Sequence, residues 1–241
     1  MPGKYFRGAF IEFTSAFLIP IPNIILFQYN PESLVHTWTP AAPAAPAGGA
    51  AGPGAGNPLA VTGNPGEEFS FSLALDSSDT IADGSPPASA LASISGIYPT
   101  LAALEMLLFP STSSGGSALA TATSIGASAL GGGSSGVDRS VPVSVVPTVL
   151  FVWGPGRILP VRVSTLKVTE KLYDPTLLVP THADVEIALK VLTQNEIDAL
   201  DDGLVKDIVQ TAYDAMGTLR QGLALANIVN SADALAGMLP F

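Results

Sequence analysis

The sequence predicts a mainly β protein, with one helix set among its strands and an α-helical extension at its C-terminal end. Three observations lead there. Apolar residues alternate at period two in segment after segment. A stretch near residue 100 and the chain beyond Thr193 change to helical spacing. Two low-complexity tracts interrupt the strands and carry no period of their own. The organisation is a β domain over 1–193, with insertions at 40–66 and 111–136, followed by a helical extension over 194–241.

Tyr5 to Thr14 carries Phe6, Ala9, Phe10, Ile11 and Phe13 and reads as a strand with one irregular step near Gly8. Asn23 to Tyr29 is a short apolar strand that ends at the turn dipeptide Asn30-Pro31. In Ser33 to Thr39 the residues Leu34, His36 and Trp38 share one face, and Val35 and Thr37 the other. Glu67 to Leu75 alternates more cleanly, with Phe69, Phe71, Leu73 and Leu75 against Ser70, Ser72 and Ala74. The intervening helix is marked by Ile97, Leu101, Leu104 and Leu108, and Pro110 stops it.

Three strands follow. Thr148 to Trp153 is apolar throughout and closes on Gly154-Pro155-Gly156. Arg157 to Leu172 is long, and Ala183 to Val191 alternates Val185, Ile187, Leu189 and Val191 with Asp184, Glu186, Ala188 and Lys190. Phe71, Leu73, Phe151, Val185 and Ile187 are the expected core.

Beyond these strands, Thr193-x-x-Glu196 has capping-box form. Ile197, Leu200, Leu204, Ile208, Ala212 and Met216 mark one stripe of a helix, which Gly217 is expected to end or bend before a second helix over 218–229. A lone helix of that length is marginal in water unless its stripe is buried. Ile197, Leu204 and Ile208 are therefore expected to dock on a neighbouring subunit or an adjoining protein.

Composition narrows the function. Charged residues make up 12 % of the chain and hydrophobic ones 47 %, against about 25 % charged in an ordinary soluble domain. Such a chain lacks the charge that keeps a monomer's surface wetted, so partners are expected to cover part of it. The net charge of −10, with basic residues scattered from Lys4 to Arg220, argues against nucleic acid. The absence of cysteine removes disulfides, thiolate metal sites and cysteine nucleophiles together. Lys4 and Arg7 precede an apolar stretch as in a signal peptide, but Glu12, Pro20 and Pro22 break it and the period-two pattern favours a strand. No membrane insertion is expected.

No catalytic constellation emerges. His36 and His182 are the only histidines, so a histidine metal site would need both. Gly132-Gly133-Ser134-Ser135-Gly136 matches G-x-S-x-G only by composition, since no strand precedes it and no helix follows. Glu67-Glu68 and Asp201-Asp202 are adjacent carboxylates, which a strand sends to opposite faces and a helix sets about 100° apart. No enzyme activity, cofactor or metal is expected.

The order of the motifs carries a resemblance. Leu26 to Leu34 with Asn30-Pro31, followed by Trp38, has the form of an opening hairpin, and Phe69 to Asp76 is a strand ending in an acidic residue. Pro147 to Gly154 has the form P-x-x-x-F-x-W-G through Phe151, Trp153 and Gly154. A long strand, the turn Tyr173-Asp174-Pro175 and a last strand complete the series. This order resembles the contractile injection system tube-protein family, over about residues 5 to 193 without the insertions.

The resemblance implies a phage tail-tube-like β-barrel or sandwich arranged in hexameric rings, with inner tube, spike or hub and baseplate proteins as partners. It implies a protein that is cytoplasmic during assembly and then part of the injection particle. Many of the family carry a LysM module, and none follows Thr193 here, which favours a tube-initiator or baseplate-adaptor role. Pro180-Thr181-His182-Ala183 stands where the family commonly has Pro-x-Arg-Ala, so a charge contact between subunits is expected to be missing. An inner-tube or tube-cap subunit is the alternative within this class. A ligand- or carbohydrate-binding β-sandwich is the alternative from another.

Overall fold

The alternating segments become strands of one antiparallel sheet. In chain order they are β1 (Ala9–Thr14), β2 (Ile21–Leu26), β3 (Val35–Thr39), β6 (Gly66–Asp76), β7 (Thr148–Val152), β8 (Ile158–Tyr173) and β9 (Pro180–Val191); β4 (Ala42–Pro43) and β5 (Val61–Thr62) form a separate two-residue ladder. The computed structural model describes residues 6–14, 21–43, 59–82, 84, 86–110, 146–201 and 203–236. The insertion at 111–136 lies outside the described residues, as does most of the one at 40–66.

The strand order is β2-β1-β7-β8-β9-β6-β3. In a flat sheet β1 and β6, four places apart in that order, would stand about 19 Å from each other at ~4.8 Å per strand. Yet the rings of Phe10 on β1 and Phe71 on β6 are 6.4 Å apart, and Phe27, just after β2, lies 5.7 Å from Phe71. The sheet is therefore rolled, and its concave face holds Phe10, Phe27, Phe69, Phe71 and Phe151. Close aromatic pairs of this kind each add about 0.5–1.5 kcal/mol beyond the area they bury.

All five residues expected in the core are buried. Register explains why: Phe71 opposes Ile187 and Leu73 opposes Val185, so the apolar phase of β6 meets that of β9.

Of the expected barrel or sandwich, the barrel does not close. Among the described residues no ladder joins β2 to β6 or β3, so the roll stays open along one seam. β3 is short and covers only Gly66 to Ser70 of β6. Beyond β2 the chain does not continue as a ladder: Phe27 turns its ring into the core, and the Gln28 side-chain amide crosses the seam. That amide accepts from the Asp76 N–H at 2.9 Å and donates to the Asp76 carbonyl at 2.7 Å. Gly8 makes the tight entry possible, because a Cβ there would sit 2.5 Å from the Phe27 ring.

The helix expected near residue 100 is α3 (Tyr98–Met106), and two further short helices precede it, α1 (Ser77–Ala82) and α2 (Ala88–Ser95). Gly96, at φ 57°, ends α2, and Pro99 then occupies the first turn of α3. A Cβ at Gly96 would also meet the Pro180 carbonyl oxygen at 2.2 Å. Of the residues that mark this helix in the sequence, Ile97, Leu101 and Leu104 pack into the roll, but Leu107 is buried there in place of Leu108. The helix stops at Met106, so the chain beyond it no longer keeps the α-helical phase.

The extension consists of α4 (Gln194–Asp198) and α5 (Leu204–Ala236). The capping box is present: Thr193 Oγ1 accepts from the Glu196 N–H, and the Glu196 carboxylate accepts from the Thr193 N–H at 2.8 Å. Gly217 neither ends nor bends the helix into two, and α5 runs on for 33 residues, about 50 Å at 1.5 Å per residue.

These helices cover the convex face where β1, β7 and the start of β8 present it. Leu150, Ile197 and Val209 are buried there, with Ile11, Phe13, Ile158, Val205 and Ile208 packed around them. Ile197 as a docking residue is accordingly corrected: it is 0 % exposed and faces its own sheet. Helix stripes find the nearest apolar surface, and here that surface is the outward row of β1 and β7. Ile208 is half-buried in the same cluster, while Leu204 is 56 % exposed.

Candidate assembly surfaces

At one mouth of the roll α5 passes over the end of the inner core. Glu67 occupies the next inward position of β6 before Phe69, and it is 4 % exposed. Its carboxylate accepts from Arg220 of α5 at 2.7 Å and lies 2.9 Å from the His36 ring nitrogen Nε2. The Arg220 guanidinium stands 4.9 Å above the Trp38 ring, and the His36 ring stacks on Phe69 at 4.3 Å. A buried carboxylate needs such partners to remain in place.

Beside it is a cavity of about 260 Å³ lined in part by Trp38, Glu67, Leu159, Tyr213, Met216 and Arg220. Asn64 donates to the Tyr213 hydroxyl at 3.0 Å, a second tie to α5. Sequence reasoning missed this cluster, although one signal was there: the buried phase 69, 71, 73, 75 extends back to 67.

The residues that carry the family resemblance do not converge. Asn30 accepts from the Gly8 N–H and donates to the Phe6 carbonyl, both at 2.8 Å, and so fixes the approach to β1. Pro31 follows in the same turn. Phe151 is wholly buried, and Trp153 packs against it at 6.0 Å. The Trp153 N–H donates to the Arg157 carbonyl at 2.8 Å, closing the turn in which Gly154 holds φ 73°. Asp174 accepts from the N–H groups of Leu177 and Thr176, which keep its carboxyl below the usual aspartate range, and Pro175 is exposed beside it. Trp38 alone stands at the mouth.

The candidates for chemistry are likewise dispersed. His36 opposes Phe69 and His182 opposes Asp76. Those positions on β6 are about 23 Å apart at ~3.3 Å per residue, so the two histidines share no site. His182 lies 3.4 Å from Asp184 and 3.8 Å from Asp76. The Asp184 carboxyl is held low by Lys171 against the effect of burial. Burial pushes Asp76 up, but the Ser78 hydrogen bonds and His182 outweigh it and leave it low. Glu67 and Glu68 point to opposite faces, Gly132 to Gly136 and Asp202 lie outside the described residues, and among the described residues no group of three His, Asp or Glu is arranged to hold a metal.

What the surface offers instead is apolar area. No family model matches the chain, and no curated protein matches it. Ile24 and Leu26 stand exposed on the outer face of edge strand β2. Leu172, Leu177 and Leu178 stand exposed at the tip joining β8 to β9, two of them at positive φ. Along α5 every residue from 221 to 228 is exposed, including Leu223, Leu225 and Ile228. Among the described residues no helix is long and apolar enough to cross a membrane.

Proposed function

We propose that the chain is a structural ring subunit of a contractile injection system, a phage-tail-like particle, joining the inner tube to the baseplate and spike. The observation that carries the reading is the open roll: a seven-stranded sheet curls round its core and leaves an edge strand at each end. Exposed edges invite pairing with another chain, and a head-to-tail contact that closes by rotation makes a ring. The scarcity of charge and the order of motifs from Asn30-Pro31 to Asp174-Pro175 support the same reading. In this role the protein is made in the cytoplasm and then resides in the particle, binds no cofactor and catalyses nothing.

Light scattering behind size exclusion tests it. The expected mass is about six times the 24.5 kDa of one chain. A monomer at every concentration tested would remove the ring, and with it the reading.

A further inference from the structure

The distal half of α5 is unusual for a surface helix. Residues 221 to 232 contain no charged side chain, and the exposed apolar residues there lie on more than one side of the helix. Leu225 and Ile228 sit three apart on one side, at 64 % and 62 % exposure. A helix with so little polar face belongs against another surface.

The same chain carries a surface that fits it. Between the proximal half of α5 and the turn joining β7 to β8 lies an apolar groove of about 620 Å³. Its helical wall is stepped by the small residues Thr211, Ala212 and Ala215, with Ile158 and Leu219 at its sides. Small side chains let a second helix approach closely while its larger residues enter the gaps.

We infer that the groove takes the Leu225–Ile228 side of α5 from a second copy of this chain. A continuous helix cannot double back, so a copy cannot fill its own groove. Charge also selects this contact. Chains of net charge −10 repel one another, yet here the inserted segment is uncharged and, among the described residues, Asp207 is the only charged one lining the groove. The groove and the inserted side lie on successive stretches of α5, residues 207–219 and 225–228, so each copy receives one neighbour and enters another. That is a head-to-tail contact, the kind that closes into a ring. The inference rests on the ring-subunit reading for its partner, and it names the surfaces on which copies meet.

The absence of cysteine makes the test direct. Two full-length variants are prepared, Ala215→Cys in the groove wall and Leu225→Cys on the distal helix, both at exposed positions. They are oxidised separately and as a mixture, then run on non-reducing gels beside light scattering of the unmodified protein. The expected result is a covalent dimer in the mixture at least tenfold above either variant alone.

A wild-type hexamer without the mixed cross-link would overturn the inference and leave the ring standing. Equal cross-linking by one variant alone would also overturn it, since the contact would then be symmetric. The mixed cross-link in an assembly of another size supports the contact and refutes the hexamer, whereas a wild-type monomer refutes both. As a second measure, Leu225→Glu and Ala215→Glu should each yield monomers, and their mixture should stop at dimers. Wild-type oligomers from either variant would count against the contact.

Discussion

Truncating Ile197 to alanine separates a residue that completes its own fold from one that waits for a partner. The side chain is 0 % exposed and packs with Leu150 and Val209 between α4, α5 and the convex face of the sheet. Removing three carbons forfeits about 2.4 kcal/mol of transfer energy at ~0.8 kcal/mol per carbon. The cavity left behind adds to that, and substitutions of this kind span about 2–5 kcal/mol. The convex cluster is small and has half-buried Ile11, Phe13 and Ile208 at its margin, which can partly close the gap. The expected loss is therefore at the lower end, about 2–3 kcal/mol. With a urea slope of about 2–3 kcal/mol per molar, the unfolding midpoint should fall by roughly 1 M. Leu204→Ala, at a 56 % exposed position, should move it by no more than about 0.5 kcal/mol. Equal midpoints for Ile197→Ala and wild type would mean that α4 is not seated on the sheet as described.

Other perturbations follow from the same packing. Phe151→Ala removes the ring at the centre of the concave cluster and should cost about 3–5 kcal/mol. Ser72→Ala on the outer phase of β6 should be silent, and equal tolerance of the two would reverse the assigned faces. Tyr29 donates to the Asp79 carboxylate, which pushes its phenol up to about 12. In an alkaline absorbance titration the step lost in Tyr29→Phe should therefore be the last, and Asp79→Asn should bring it down; an ordinary Tyr29 titration would refute the contact. In acid, the carboxyls of Asp174, Asp184 and Glu196 are all held low. For Glu196, burial acts upward but Thr193, Lys190 and Arg162 outweigh it. Native pKa values below the unfolded ones mean that the stabilisation is complete above about pH 4.5 and is lost as pH falls through the lowered values. Thermal midpoints should drop steadily from about pH 4.5 downwards, and a flat profile there would contradict the assignment.

Period two made the sheet legible. Phe69 to Leu75 and Val185 to Val191 announce both the strands and the faces they bury, and Thr193 with Glu196 announces the start of α4. Curvature was not legible, because alternation says which side is apolar and nothing about how far a sheet bends. The stripe through Ile197 and Ile208 was visible, but a stripe names no partner, and its own sheet turned out to be nearest. Gly217 misled for a related reason: with nothing crowding it, it keeps helical geometry at a cost of about 1 kcal/mol relative to alanine. Glu67 and Arg220 are 153 residues apart and meet only when the roll brings the mouth beneath α5. No local pattern holds that information.

The amide of Gln28 has a consequence for how the roll yields. Every other joint round its circumference is a ladder, which gives way only by losing many bonds at once. The seam is crossed instead by side chains: Gln28, which mimics a peptide group with two hydrogen bonds to Asp76, each worth about 0.5–1.5 kcal/mol net, with the Tyr29–Asp79 contact and the Phe27–Phe71 packing beside it. A hoop gives at its weakest joint, so the roll is expected to open first at this seam, where side chains part and no strand has to slip by a residue. Opening there would leave the six ladders of the wall intact.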